Sequence, residues 1–232
     1  ATLPPASLKS IFQAWIGDIM GDDKLVGQLA VDGKALRATA KGRGANAVHM
    51  VNVWSTELGM CVGQQKVADK SNEITAIPEL LQLLELKGCF VSIDAMGTQV
   101  KIADTILKKS GDYLLAVKDN QPSLNTEVKE QFQAYWDKNE TDVSGPGFTE
   151  QFDSEHGRKE HRRCWVLVVD ESMPVCQQWE AKTIIAVQAE RIENGKGYDF
   201  VRFYISSRAL DATSALKARS EEHTSELQSR RR

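Results

Sequence analysis

Cys89-Phe90-Val91-Ser92-Ile93-Asp94-Ala95-Met96-Gly97-Thr98 is a continuous apolar run that ends in an acidic residue and a glycine. Such a run reads as a strand buried on both faces, with Asp94 where the strand gives out. The carboxyl ends of these strands are where open α/β sheets put their chemistry. A second short apolar run ending in aspartate lies upstream, Leu29-Ala30-Val31-Asp32-Gly33-Lys34. Two strand-borne aspartates that meet in one sheet could hold a divalent metal ion, and that pairing is the expectation to test.

Around these runs the periodicity lays out a mixed α/β chain. Leu8, Ile11, Phe12, Trp15, Ile16 and Ile19 are spaced three and four apart, which predicts an amphipathic helix within residues 1–24. Residues 25–37 are the first strand, and two further strands, at Ala47 to Ser55 and Met60 to Ala68, form a hairpin. A helix follows, with Ser71 or Asn72 as its cap and Glu73 in its first turn, where negative charge complements the helix dipole. Beyond the Asp94 strand come a helix over Gln99 to Ser110, a parallel strand Tyr113 to Val117, and a helix from Leu124 to Trp136. After Gly145-Pro146-Gly147 the pattern turns antiparallel, with strands near Cys164–Val169, Thr183–Arg191 and Phe200–Ser206. Asn194-Gly195 is a strong hairpin signal between the last two. The expected architecture is a mixed five-stranded sheet flanked by helices, with an inserted antiparallel region.

At 232 residues and 41% hydrophobic, the chain can bury one sizeable core. A net charge of -3 leaves any nucleic-acid contact to a local basic patch. Cys61, Cys89, Cys164 and Cys176 show no CxxC pair, so reduced thiols in a cytoplasmic protein explain them better than disulfides or zinc. No apolar run approaches transmembrane length, which counts against a membrane partner.

Each candidate has a plainer reading. Asp32-Gly33 between apolar runs is also a two-residue hairpin turn, and on pattern alone the turn is slightly favoured. Asp94 could simply cap the segment that follows it, although a buried strand rarely ends in a carboxylate without a partner or cation. Two aspartates on neighbouring strands would repel unless a cation lay between them. That layout suits two-metal phosphoryl transfer, with ions ~3.5–4 Å apart. Glu155 to Arg163 is the most basic segment: a solvated strand edge by default, a phosphate-gripping strip through its arginine forks otherwise. Lys118, Asn120 and Gln121 are either a polar loop or a substrate-facing rim.

Taken together, the chain resembles the H-repeat-associated insertion-sequence transposases, a DDE-type family often linked to Rhs elements. The matching pieces are Val31-Asp32-Gly33-Lys34-Ala35-Leu36-Arg37, Lys70-Ser71-Asn72-Glu73-Ile74 and Ile93-Asp94-Ala95-Met96-Gly97-Thr98-Gln99. They continue with Val117-Lys118-Asp119-Asn120-Gln121-Pro122, His156-Gly157-Arg158-Lys159-Glu160-His161-Arg162 and Tyr204-Ile205-Ser206-Ser207. The resemblance implies an RNase H-like fold, with Asp32 as a strand residue and Asp32 and Asp94 as the first two metal-binding acids of the triad. It further implies two Mg²⁺ or Mn²⁺ ions, DNA (transposon ends and target) as the partner, and strand cleavage followed by strand transfer. Lys34, Lys118, Asn120, His156, Arg158 and Arg162 are the expected DNA contacts. A homodimer and association with the nucleoid when active are compatible with it.

The chain departs from the family after Tyr204-Ile205-Ser206-Ser207, where a His-Trp-x-Ile-Glu-Asn type motif carries the third acid. Arg219-Ser220-Glu221-Glu222-His223-Thr224-Ser225-Glu226 stands there instead and looks like a translated sequencing-adaptor oligonucleotide, with a genuine polar helix end as the alternative. Glu160 is the runner-up for the third acid. The expected divisions are an N-terminal helix (1–24), the catalytic core (25–144), the inserted β region (145–206), the start of a closing helix (207–218) and a non-native tail (219–232). The expectation is thus a transposase fragment, truncated at both ends and inactive for want of one carboxylate. The alternatives are a non-catalytic DNA-binding remnant and, more remotely, a small-molecule α/β domain. The absence of a glycine-rich phosphate loop weighs against nucleotide-binding versions of the last.

Overall fold

The computed structural model describes residue 11 and residues 25–36, 48–67, 73–138, 147–155, 158–193 and 196–220, with backbone only at 34–36, 48, 155, 158, 193 and 196. The helix expected over residues 1–24 lies outside them apart from Ile11, as do His156 and the tail from residue 221. The strands are β1 (Gly27–Leu36), β2 (Val48–Ser55), β3 (Met60–Val67), β4 (Cys89–Ile93), β5 (Asp112–Val117), β6 (Phe148–Glu155), β7 (Arg158–Val168), β8 (Thr183–Glu193) and β9 (Lys196–Ser206). Helices α1 (Glu73–Gln82), α2 (Val100–Lys108), α3 (Pro122–Lys138) and α4 (Pro174–Gln178) intervene, and α5 covers residues 212–220.

All nine strands form one sheet in the order β3-β2-β1-β4-β5-β9-β8-β7-β6. β1, β4 and β5 are parallel, and the other pairings are antiparallel. The half β3-β2-β1-β4-β5 is the expected five-stranded sheet, and with helices on its faces it is RNase H-like. The antiparallel strands do not stand apart from it. β9 pairs along β5, Leu114 with Ser206 through Val117 with Phe203, so the sheet runs on without a break. One strand went unread: β6, whose sequence FTEQFDSE lacks an apolar run because only one of its edges is paired. The basic segment was expected on a solvated edge, but β7 lies between β6 and β8.

Successive side chains of a strand point to opposite faces, and two apolar clusters record this. On one face Leu29, Val31, Val91, Ile93 and Leu115 pack beneath α1, α2 and α3. On the other, Phe90, Leu114, Cys164, Ile185 and Tyr204 pack beneath Ala212, Ala215 and Leu216 of α5. β4 is buried at all five positions because it has a strand on each side and a helix on each face. No described helix is long and apolar enough to cross a membrane.

Candidate functional site

β1 runs unbroken through Asp32-Gly33, in register with Asn52 and Val51 of β2. The pattern-based preference for a hairpin turn is therefore corrected: pairing with β2 that runs on from Leu29 to Leu36 outweighs what a local dipeptide favours. The last pair between the parallel strands β1 and β4 is Val31 with Ile93, so Asp32 follows it in β1 and Asp94 follows it just past the end of β4. Both belong to the α5 face. Gln28 and Ser92 share their parity and meet there, Gln28 Nε2 donating to Ser92 Oγ at 3.0 Å and to the Ala218 carbonyl at 2.7 Å. Asp32 is half-buried and Asp94 exposed.

Asp94 also makes the cap that the plainer reading assigned to it. Its Oδ1 accepts the Gly97 amide at 3.1 Å and opens the 3-10 turn Ala95–Gly97. Gly97 must be glycine for reasons of space, since a Cβ there would stand 2.3 Å from Ile93 Cγ2. The loop is tied to its neighbours by side chains. Thr98 Oγ1 donates to the Ala116 carbonyl at 2.6 Å, Asn120 Nδ2 to the Ala95 carbonyl at 2.7 Å, and Gln121 Nε2 to the Thr98 carbonyl at 2.9 Å. Asn120 and Gln121 thus spend amide donors on the Asp94 loop. Thr98, completely buried, was missed as a positioning residue; only its place after the Asp94 strand could have marked it.

Glu160 is not brought to the aspartate pair. It lies on β7, five strand spacings from β1, or roughly 24 Å. It is buried, and Arg162 Nε donates to it at 2.8 Å. The basic strip is largely neutralised within the sheet: Arg163 contacts Glu190 at 2.8 Å and His161 contacts Glu150 at 2.8 Å. Lys118 is exposed at the end of β5, beside a groove of about 270 Å³ that Lys129 and Arg202 also line. Lys34 and Arg158 lie on β1 and β7, and their side chains are outside the described residues.

The donor set suits a hard divalent cation, because carboxylate oxygens are the ligands such ions take. It is incomplete: among the described residues no group of three or more His, Cys, Asp or Glu side chains could hold a metal. Residues 27–215 match the family model of the transposase DDE domain. The chain belongs to the transposase DDE domain family. Among its relatives is an uncharacterised protein in the dhlA 3' region of Xanthobacter autotrophicus, 34% identical over 90% of this chain and 70% of its own length. A candidate H repeat-associated transposase, YhhI of Escherichia coli (strain K12), is 40% identical over 90% of this chain. A candidate transposase, YncI of Escherichia coli O157:H7, is 39% identical over 89%. The chain spans only 56% and 53% of these two. A piggyBac transposase synaptic complex with hairpin DNA aligns over 80% of this chain and 34% of its own, at 12% identity and a TM-score of 0.41.

Proposed function

We propose that the chain is the core of the catalytic domain of an insertion-sequence transposase, which in its intact form acts on DNA by phosphoryl transfer with Asp32 and Asp94 as metal ligands. The observation that carries this reading is their succession to the Val31–Ile93 pair on neighbouring parallel strands, with both on the α5 face. Bound there, divalent ions such as Mg²⁺ or Mn²⁺ supply the activation of an attacking oxygen and the stabilisation of the leaving one. The protein's part is to hold two carboxylates side by side. Asp32 is fixed by its pairing with Asn52 of β2, one residue past the last pair with β4, and Asp94 by its cap and by the ties from Thr98 and Asn120.

Lys34, Lys118, His156 and Arg158 are the proposed contacts to the DNA backbone, in a cytoplasmic protein. Asn120 and Arg162 act a step behind them, as a loop tie and as the partner of Glu160. The third acid of the triad is assigned to none of the described residues, and the family motif expected to carry it is absent from the sequence. We accordingly expect this chain to bind metal and DNA without cutting.

Mn²⁺ titration of the chain, Asp32→Asn and Asp94→Asn tests the assignment. Each substitution should weaken binding at least tenfold, the scale on which ligand-shell changes act. Unchanged affinity in either variant removes that residue from the metal site. Filter binding of DNA with and without EDTA separates the metal-dependent reading from simple electrostatic retention, which chelation leaves unaffected.

A further inference from the structure

Behind the aspartate pair, on the opposite face of β1, the amino end of α1 meets Gly33. A Cβ built at Gly33 would stand 2.3 Å from Glu73 Oε2, 2.6 Å from its Cδ and 2.9 Å from its Oε1. The Glu73 carboxylate therefore occupies the volume that any other side chain at position 33 would fill. Glu73 is buried, and His49 Nδ1 lies 3.6 Å from its Oε1. His49 is in register with Ala35, one step along the same face of the strand. Taking a carboxylate out of water is costly unless its surroundings compensate it. This one is packed against the backbone of the residue next to Asp32.

We infer that Glu73 is a positioning residue for Asp32. Its carboxylate, seated in the slot left by Gly33, braces the β1 backbone from behind and sets how far Asp32 projects toward Asp94. The coupling is mechanical. Residues 32 and 33 share a planar peptide bond and point to opposite faces, so a displacement at one moves the other. Metal ligation tolerates errors of only about 0.2 Å, which makes such a displacement consequential. The inference rests on the reading of Asp32 and Asp94 as metal ligands. It goes beyond that reading in giving a role to a glutamate that touches neither the metal nor the DNA.

The experiment is Mn²⁺ titration of the 232-residue chain, with circular dichroism confirming that each variant is folded at the working temperature. Glu73→Ala should weaken binding about tenfold, as loss of an outer-shell support does. Gly33→Ala should weaken it further, because the new methyl and the carboxylate cannot share the slot. Combining the two should return affinity to the level of Glu73→Ala alone, and Glu73→Gln, which keeps the shape, should restore most of it. Parental affinity in Glu73→Ala, a double variant no better than Gly33→Ala, or a glutamine variant as weak as the alanine one overturns the brace. Should Gly33→Ala fail to fold, the alanine and glutamine variants at Glu73 decide the matter alone. If Asp32→Asn itself leaves Mn²⁺ binding unchanged, the metal reading falls and this role with it; if Asp32→Asn abolishes binding and Glu73→Ala does not, only the brace falls.

Discussion

Asp94 makes the cap of the plainer reading, and the ligand role proposed for it does not compete with that cap. Capping the 3-10 turn uses Oδ1, at 3.1 Å from the Gly97 amide, and a cap of this kind fixes the carboxyl group for a second use. The cysteines are simpler. All four are free thiols, and burial pushes Cys89 up to about 11 and Cys164 to about 12, with Cys176 shifted in the same direction. A thiol whose folded-state pKa is raised holds its proton longer when folded than when unfolded. Stability is therefore flat below the unfolded thiol's pKa, about 8.5, and falls as pH rises through the range up to about 12. Urea melts at pH 8 and pH 10.5 should show the loss, and replacing Cys89 and Cys164 by alanine should flatten it relative to the parent. At pH 8 a thiol reagent should modify Cys61, which is only half-buried, well before the other three.

At the scale of elements, β7 shows why a basic run is a poor guide to a binding surface. Alternation splits Lys159, His161 and Arg163 from Glu160 and Arg162; His161 and Arg163 then reach diagonally to Glu150 of β6 and Glu190 of β8, while Arg162 turns to Glu160 two residues back on β7 itself. Glu160 is buried with Arg162 at 2.8 Å, so this pair is part of the sheet's packing. Arg162→Ala should cost about 1–3 kcal/mol of stability, the range for removing a partner from a buried polar group. It should leave the salt dependence of DNA binding nearly unchanged. A loss of about one unit in the slope of log affinity against log salt would instead mark Arg162 as a phosphate contact. Sequence alone could not separate these outcomes, because it shows which residues are charged but not which of them face one another.

For the whole molecule, the decisive feature is that the antiparallel strands extend the central sheet. Side-chain hydrogen bonds secure the junction where β9 returns to β5 and tie β5 to the segment that precedes β8. Ser207 Oγ donates to Asp112 Oδ1 at 2.8 Å, Arg208 Nε donates to Asp112 Oδ2 at 2.8 Å, and the Tyr113 hydroxyl donates to the Trp179 carbonyl. The last of these links the core strand β5 to the turn after α4, and Tyr113 is fully buried. Tyr113→Phe should therefore destabilise the chain by about 1–3 kcal/mol, since it strands a buried carbonyl. The described sheet should unfold as one unit, with fluorescence from Trp54 in β2 and Trp165 in β7 tracing a single urea transition. Two separated transitions, read with each tryptophan changed singly to phenylalanine, would show that the halves are independent.

Long apolar runs and helical spacing made most elements legible before any coordinates, because burial on both faces leaves little room for polar residues. Cys89 to Ile93, Tyr113 to Val117 and the helices that follow them were read close to their observed bounds for that reason. Edge strand β6 escaped, since a strand paired on one side need not be apolar. Local pattern also leaned the wrong way at Asp32-Gly33, where the choice between turn and strand rests on distant partners: Asn52 in β2, 20 residues beyond Asp32, and Ile93 in β4, 62 residues beyond the Val31 it pairs with. The two aspartates were visible as residues; their common face, the slot under Gly33 and the distance of Glu160 from both were decided by strand order. Strand order is set by long-range pairing, and no window of neighbouring residues encodes it.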